Sequence, residues 1–233
     1  MTTLSERKSL LKSFGIEKVQ VIKFNKNIQE LSYETFIEKH LTRKLRAQIV
    51  FVGFDYAFGK NRSGSVKELR KLGKEFSFGV KVIRPVKKNH HIIKSSLIRN
   101  LITHGNFNEG VGLLGHPYRI TGLVVSGHSR GRELGVRTAN LKLDQDKLIP
   151  QMGVYLGKAG NHKCVINIGN RPTFGAQSFA IEVHLLRFDK DLYKKKLAVD
   201  LHKKIRDEIH FADIEDLKAQ IHKDIAICQN AVL

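Results

Sequence analysis

Residues 131–140 read GRELGVRTAN, and this stretch lies in the part of the chain whose pattern decides the fold. It joins a glycine-rich loop to a Thr-x-Asn pair, Thr138 and Asn140, and an isolated carboxylate, Glu182, follows inside an apolar run. Glycine-rich loops present backbone N–H groups to phosphates, hydroxyl and amide oxygens bind cations, and a carboxylate accepts a proton. The stretch therefore indicates phosphoryl-transfer chemistry.

Short β-type runs separated by glycines and polar turns surround this stretch. They lie at 118–127, 153–160, 163–169, 179–188 and 196–205. Such runs without intervening helices are typical of an antiparallel barrel. A capping residue, Asp213, precedes an apolar face that predicts a closing helix. That face comprises Ile214, Leu217, Ile221 and Ile225.

The first hundred residues show a different sequence pattern, in which predicted helices and strands alternate. Helices are predicted at 4–14, 32–46, 64–73 and 95–104, and strands at 18–24, 49–54 and 78–86. The apolar run IVFVGF at 49–54 is typical of a buried parallel strand. This alternation favours parallel βαβ units. Since 105–115 is turn-rich, two domains are expected, 1–104 and 105–233, which makes the chain α+β overall.

Charge and cysteine content indicate what the protein could bind and in which compartment it works. Residues 1–100 hold 22 Lys and Arg against 8 Asp and Glu, which suggests a module that binds polyanions or has a well-solvated surface. The two cysteines, Cys164 and Cys228, are far apart in sequence and indicate reduced thiols in a cytoplasmic protein. No apolar run is long enough to cross a membrane, and the N-terminus does not resemble a secretion signal.

The motifs of the second half resemble the riboflavin kinase domain of bacterial bifunctional riboflavin kinase/FAD synthetases. The matching stretches are LLGHPYRITG, GHSRGRELG, VRTAN, NIGNRPTF, EVHLL and IRDEIHF, in family order between 105 and 230. The resemblance implies a Greek-key barrel that transfers a phosphoryl group from ATP to riboflavin, with Mg²⁺ as cofactor and with ADP and FMN as products.

The resemblance also implies roles for individual residues. It makes Glu182 the base for the ribityl 5′-hydroxyl and gives Mg²⁺ the ligands Thr138 and Asn140. Nucleotide phosphates would contact Gly127, Gly131, Arg132 and Gly135, and the flavin would contact Arg206 and Phe211. Without the resemblance, a Thr-x-Asn pair is more typical of a turn cap, Glu182 of the polar face of a strand, and His184 of a structural histidine.

The first hundred residues resemble the later part of the family's FMN adenylyltransferase module, a Rossmann-like α/β fold. IKSSLIR at 93–99 is similar to its phosphate-binding Ser-Ser-Thr-Arg-Ile-Arg motif, but Lys94 and Leu97 replace the first Ser and the first Arg. The family's His-x-Gly-His motif has no counterpart in residues 1–20. These departures predict a truncated module that does not make FAD, unless the true start codon lies upstream.

Two further differences leave alternatives open. Val136 and Arg137 stand where the family has an aromatic residue and a proline, so a weakened or inactive kinase is one alternative. A flavin-responsive regulatory or RNA-binding protein that uses the basic N-terminal segment is another. The truncated sheet would expose apolar surface, which predicts a homo-oligomer, a partner chain or a rearranged sheet that covers it.

Overall fold

The chain folds into two compact units, which are described separately. A computed structural model describes residues 1–88, 91–127, 135–171 and 178–233. One unit comprises Met1–Lys18 and Lys94–Leu233, and the other comprises Val19–Ile93. The helices are α1 (Leu4–Ser13), α2 (Lys26–Gln29), α3 (Tyr33–Phe36, continued by a π-helical segment, Ile37–Lys44), α4 (Val66–Glu75), α5 (Ser95–Thr103), α6 (Phe107–Leu114) and α7 (Ile214–Asn230), with a 3₁₀ turn at Lys60–Arg62. The strands are β1 (Ile49–Gly53), β2 (Gly79–Ile83), β3 (Lys87–Lys88), β4 (His91–Ile92), β5 (Tyr118–Val125), β6 (Ala139–Leu143), β7 (Gly153–Ala159), β8 (His162–Arg171), β9 (Ser178–Leu185) and β10 (Lys196–Arg206).

The larger unit is built around a closed six-stranded barrel in the order β10–β5–β6–β9–β8–β7, and every pair is antiparallel. Strand β6 pairs with β9 rather than with β7, its neighbour in sequence, which is a Greek-key connection. Because closure pairs the two edge strands with each other, the sheet has no free edge. The structure confirms the predicted α+β class and the barrel with its C-terminal helix.

Alternating side chains fill the barrel. Ile120, Ile166, Ile168 and Val183 are completely buried. Helix α6 packs the Phe107 ring edge-on against Tyr155, with ring centroids 4.8 Å apart. These contacts make the barrel a closely packed core, and the packing fixes the positions of the polar side chains on its strands.

Helix α7 closes the larger unit, as predicted. The Asp213 carboxylate accepts a hydrogen bond of 2.8 Å from the Asp216 N–H, which confirms the predicted cap. The Cys228 thiol donates to the Cys164 carbonyl over 3.4 Å and ties the helix to β8. Ile214 is exposed, so the apolar face of the helix begins later than the pattern predicts.

Helix α1 belongs to the barrel unit, although the sequence places it in the first domain. The Lys147 ammonium lies 2.8 Å from the Glu6 carboxylate, and the two side chains are 0% and 3% exposed. Lys147 also donates to the main-chain carbonyls of Met1 and Arg119. The two compact units divide at 18/19 and 93/94, and this buried pair joins the first helix to the barrel.

The smaller unit contains a parallel pair of strands, β1 and β2, connected by α4. The side of the pair that carries Val50 and Val52 packs against a cluster that includes Ile37, Leu69 and Leu72. The opposite side is exposed, since Ile49 is 50% and Phe51 60% accessible. The prediction of a buried strand at 49–54 is thus right about its parallel pairing and wrong about its burial.

Two other local predictions are wrong. Residues 18–24, all of which are described, form no strand, because no neighbouring strand pairs with them. The turn-rich stretch 105–115 is largely helix α6, which begins where the Asn106 side chain accepts a hydrogen bond from the Glu109 N–H. Among the described residues, no helix has both the length and the apolar character that a membrane crossing requires.

Candidate functional site

The barrel places Asn140, Glu182 and Asn167 side by side in one row across three strands. Asn140 on β6 is paired with Glu182 on β9, and Glu182 is paired with Asn167 on β8. Directly opposite residues of antiparallel strands project to the same face, with Cβ atoms about 5 Å apart. The carboxylate predicted from the sequence therefore lies between two amides, and Asn167 is a residue that the sequence analysis did not single out.

A cavity of about 590 Å³ opens on the β6 side of this row. Its wall includes Gly127, Thr138 and Asn140, three residues singled out from the sequence. Residues 188–193, which follow β9, form the opposite wall of this cavity, the larger of the two beside this row. Gly131 and Arg132, also predicted to contact phosphates, lie outside the described residues.

Close packing explains the glycine at 127. A Cβ atom built on Gly127 would lie 2.6 Å from the Asn140 Cγ atom and would also collide with the amide nitrogen. Any side chain at this position would push the buried Asn140 amide away. Gly127 therefore acts on the site by permitting the position of Asn140. Gly135 adopts a left-handed backbone conformation with φ +71°, which also favours glycine.

A second cavity, of about 310 Å³, lies on the α7 side of the row. Glu182, Arg206 and Phe211 line this smaller cavity, so the structure brings together the predicted base and the two predicted flavin contacts. Apolar side chains of β7 and α7 complete the wall, among them Val154, Leu217, Ile221 and Ile225. Thr138 lies in the walls of both cavities and thus stands at their partition.

Arg206 is fixed by an ion pair with α7. Its Nε atom lies 3.1 Å from both carboxylate oxygens of Asp224, and its Nη2 atom lies 2.7 Å from Oδ2. Gln220 donates a further hydrogen bond of 2.9 Å to Asp224, which is almost fully buried. The guanidinium is therefore held in one orientation at the edge of the smaller cavity, a geometry that suits contact with a planar group.

The donor set at the partition fits a hard cation. Thr138 and Asn140 are two residues apart, both line the larger cavity, and each carries one neutral side-chain oxygen. Mg²⁺ prefers oxygen ligands and shares its coordination sphere with phosphate and water oxygens. In the described ranges no group of three or more His, Cys, Asp and Glu residues would hold a metal.

One hydrogen bond links the two sides of the partition. The His184 Nδ1 atom lies 2.8 Å from the Arg137 carbonyl oxygen. Arg137 is exposed and lies in the wall of the larger cavity, whereas His184 and the buried Val136 lie in the wall of the smaller one. Sequence reasoning treated His184 as a structural histidine, since strand register alone does not reveal a side-chain bond to the backbone.

Residues 114–232 match the family model described as riboflavin kinase, and residues 1–97 match the model described as FAD synthetase. A curated relative from Buchnera aphidicola (subspecies Schizaphis graminum), named bifunctional riboflavin kinase/FMN adenylyltransferase, is 36% identical over 236 residues, covering 97% of this chain and 75% of the relative. The protein of the same name from Escherichia coli K12 is 35% identical over 96% of this chain and 73% of its own length.

A solved structure is also similar. The crystal structure of a protein described as a macrolide-efflux protein, from Streptococcus pneumoniae, superposes with a TM-score of 0.87 at 29% identity. The match covers 99% of this chain and 75% of that protein. The fold is therefore shared along nearly the whole chain, and the matched proteins are longer.

Proposed function

The chain belongs to the family of bifunctional riboflavin kinase/FMN adenylyltransferases, and from that premise we propose that it transfers the γ-phosphoryl group of ATP to the ribityl 5′-hydroxyl of riboflavin, giving FMN and ADP. The observation that carries the proposal is the pairing of Asn140 with Glu182 at the partition between two cavities. A phosphoryl donor on one side and an alcohol on the other would meet beside these two side chains.

The larger cavity is proposed to bind the nucleotide. Its volume is in the range typical of small-molecule sites. Gly127 permits close approach of the backbone, and Thr138 and Asn140 supply oxygens for a Mg²⁺ ion, whose charge neutralises the polyphosphate when it is bound. The exposed guanidinium of Arg137, in the same wall, adds positive charge beside the phosphates.

The smaller cavity is proposed to bind the flavin. The apolar side chains of β7 and α7 offer a surface for a planar aromatic ring, and Phe211 can pack on its face. Arg206, held by Asp224, would meet the polar edge of the ring. The ribityl chain would then extend toward Glu182 and Thr138, the part of this cavity nearest the larger one.

Glu182 is proposed to accept the proton of the ribityl 5′-hydroxyl as that oxygen attacks the γ-phosphorus in line. The bond between the γ-phosphorus and the β–γ bridging oxygen breaks, and ADP leaves with that bond's electron pair. Positioning and charge stabilisation provide most of the rate enhancement in phosphoryl transfer. The half-buried place of Glu182 between two amides limits its rotamers and favours one orientation.

The second activity in the relatives' name, FMN adenylyltransferase, is proposed to be absent from this 233-residue chain. The sequence contains no His-x-Gly-His motif, whose imidazoles would stabilise the charge that develops on the triphosphate. Incubation of the chain with FMN, ATP and Mg²⁺ should therefore yield no FAD and no pyrophosphate. Formation of FAD at a rate comparable to that of FMN would overturn this part of the proposal.

The kinase proposal is tested with two carboxylate variants in the smaller cavity. Glu182→Gln removes the proposed base and should lower kcat for FMN formation by about 10²–10⁴-fold while ADP affinity remains. Glu208→Gln is the matched control, because Glu208 also lines this cavity but is not paired with Asn140. If the control variant loses turnover and Glu182→Gln keeps it, the base has been assigned to the wrong carboxylate.

A further inference from the structure

The segment that enters β6 is anchored by the buried Val136, but Thr138 is not part of the strand ladder. The first pair of the β6–β9 ladder is Ala139 with Val183, so Thr138 lies just before the paired region, opposite His184. Gly135 is exposed in a left-handed conformation, and the Arg137 side chain is also exposed and adds no buried packing. The buried Val136 anchors the backbone before Arg137, and a further contact is needed to fix the peptide that joins Arg137 to Thr138.

His184 supplies that contact. A carbonyl oxygen only accepts hydrogen bonds, so the Nδ1 atom 2.8 Å from the Arg137 oxygen must be the donor and carry the proton. The carbonyl belongs to the peptide that joins Arg137 to Thr138. The bond therefore continues the β6–β9 pairing by one residue, with a side-chain donor in place of a backbone N–H.

The location of this bond connects it with the proposed chemistry. His184 is two residues from Glu182 on β9, and both line the smaller cavity. Thr138, whose backbone the bond restrains, lines both cavities. A shift of the Arg137–Thr138 peptide would therefore move the Thr138 hydroxyl relative to Asn140, its proposed partner in cation binding.

We propose that His184 is a positioning residue: through its Nδ1–H bond to the Arg137 carbonyl, it sets the place of the Thr138 hydroxyl and thereby the affinity of the site for Mg²⁺ with bound nucleotide. This inference rests on the proposed kinase function. In this role His184 would contact neither the nucleotide nor the cation. Its effect is expected on metal-dependent binding and not on nucleotide binding without metal.

Three substitutions at His184 distinguish the loss of the Nδ1–H bond from the loss of the side chain as a whole. His184→Asn places an amide N–H close to the position of Nδ1 and keeps the bond, whereas His184→Gln carries its amide out toward the position of Nε2 and loses it. His184→Ala removes every donor. ADP binding is measured by calorimetry over a series of Mg²⁺ concentrations, and the Mg²⁺ dependence of FMN formation is measured in parallel.

The Ala and Gln variants should need about 3- to 10-fold more Mg²⁺ for half-maximal ADP binding, which corresponds to the loss of one hydrogen bond. The Asn variant should stay within about twofold of the wild type, and ADP binding without metal should be unchanged in all three. If the Ala variant does not fold, the Gln and Asn pair gives the same comparison.

Two outcomes would overturn the inference. One is an unchanged Mg²⁺ dependence in the Gln and Ala variants, and the other is an equal shift in all variants, including Asn. Failure of the proposed function would look different, because the wild-type chain would then neither bind ADP with Mg²⁺ nor form FMN.

Discussion

The barrel unit and the 19–93 unit both contain strongly apolar strands, but strand β1 of the 19–93 unit leaves one apolar side exposed. Ile166 and Ile168 on β8 are fully buried, whereas Ile49 and Phe51 on β1 are half-exposed or more. The barrel closes its sheet and is capped by α6 and α7, while the β1–β2 pair is covered on one side. An apolar pattern therefore predicts a strand, and the surrounding elements decide whether that strand is buried.

This difference also explains where the chemistry-bearing residues lie. A polar row such as Asn140, Glu182 and Asn167 needs neighbours that fix its side chains, and the closed barrel provides paired strands on both sides of Glu182. A two-stranded sheet with an open side provides no comparable frame. The following predictions test this contrast, from the largest expected effect to the smallest.

The buried Glu6–Lys147 pair should be the most sensitive feature of the barrel unit. Lys147→Met leaves the Glu6 carboxylate buried without its partner and should cost about 3–5 kcal/mol of unfolding free energy, measured by denaturant titration. Replacing both partners, by Glu6→Leu with Lys147→Met, should recover most of the loss. Lys223→Met, on the exposed side of α7, is the control. If Lys147→Met and Lys223→Met lower the unfolding free energy equally, α1 is not an integral part of this unit.

Matched truncations in the two units should separate buried from exposed strands. Ile166→Ala removes a fully buried side chain and should destabilise β8 by about 2–5 kcal/mol. Phe51→Ala, at a position 60% exposed, should change the stability of β1 by about 0.5 kcal/mol or less. Hydrogen exchange of peptides that cover each strand measures both effects. A large loss of protection in Phe51→Ala would show that β1 is covered in solution.

Gly127→Ala should disturb the nucleotide side of the barrel without unfolding it. The added methyl group would displace the Asn140 amide, and overpacking of this kind costs about 1–3 kcal/mol. ADP affinity in the presence of Mg²⁺ should therefore fall by at least about tenfold. Gly112→Ala is the control, because a methyl group there meets nothing within 4 Å. Equal ADP affinity in the two variants would contradict the role assigned to the Gly127–Asn140 contact.

Cys164 should make the barrel unit sensitive to alkaline pH. Burial raises the pKa of this thiol well above its ordinary value of 9.0. Above that pH the unfolded chain loses a proton that the folded chain keeps, so stability falls as pH rises, by about 1.4 kcal/mol per pH unit for this group.

Denaturant titrations between pH 8 and 10.5 measure this dependence. Cys164→Ala should show a shallower decline than the wild type over that range. Ile166→Ala, which removes volume from the same strand without removing a titrating group, should keep the wild-type slope. An identical slope for all three proteins would show that the thiol is not kept protonated.

Much of the fold could be predicted from local patterns. The glycine-bounded runs at 153–160 and 163–169 became β7 and β8, and Asp213 caps α7 as expected. Helix α6 was missed because four glycines between 105 and 115 suggested turns. Gly110 instead lets two helices pack closely, since a Cβ atom there would lie 3.1 Å from Leu101 on the neighbouring helix α5. The predicted strand at 18–24 failed because strand formation needs a partner, which a local pattern does not reveal.

The site was only partly predictable for a similar reason. Glu182, Thr138 and Asn140 were predicted through the resemblance of their motifs to the family, and the barrel brings them together. Asn167 and His184 acquire their places from strand register and from one side-chain bond to the backbone, neither of which is encoded in a short motif. The ion pair that orients Arg206 joins β10 to α7 and likewise depends on the assembled fold.

A structure of the ternary complex with ADP, Mg²⁺ and riboflavin would test the central claim most directly. We expect ADP in the larger cavity, Mg²⁺ about 2.1 Å from the Thr138 and Asn140 oxygens, and the riboflavin 5′-hydroxyl within hydrogen-bond distance of Glu182. Binding of both ligands with Thr138, Asn140 and Glu182 out of contact with either would contradict the account.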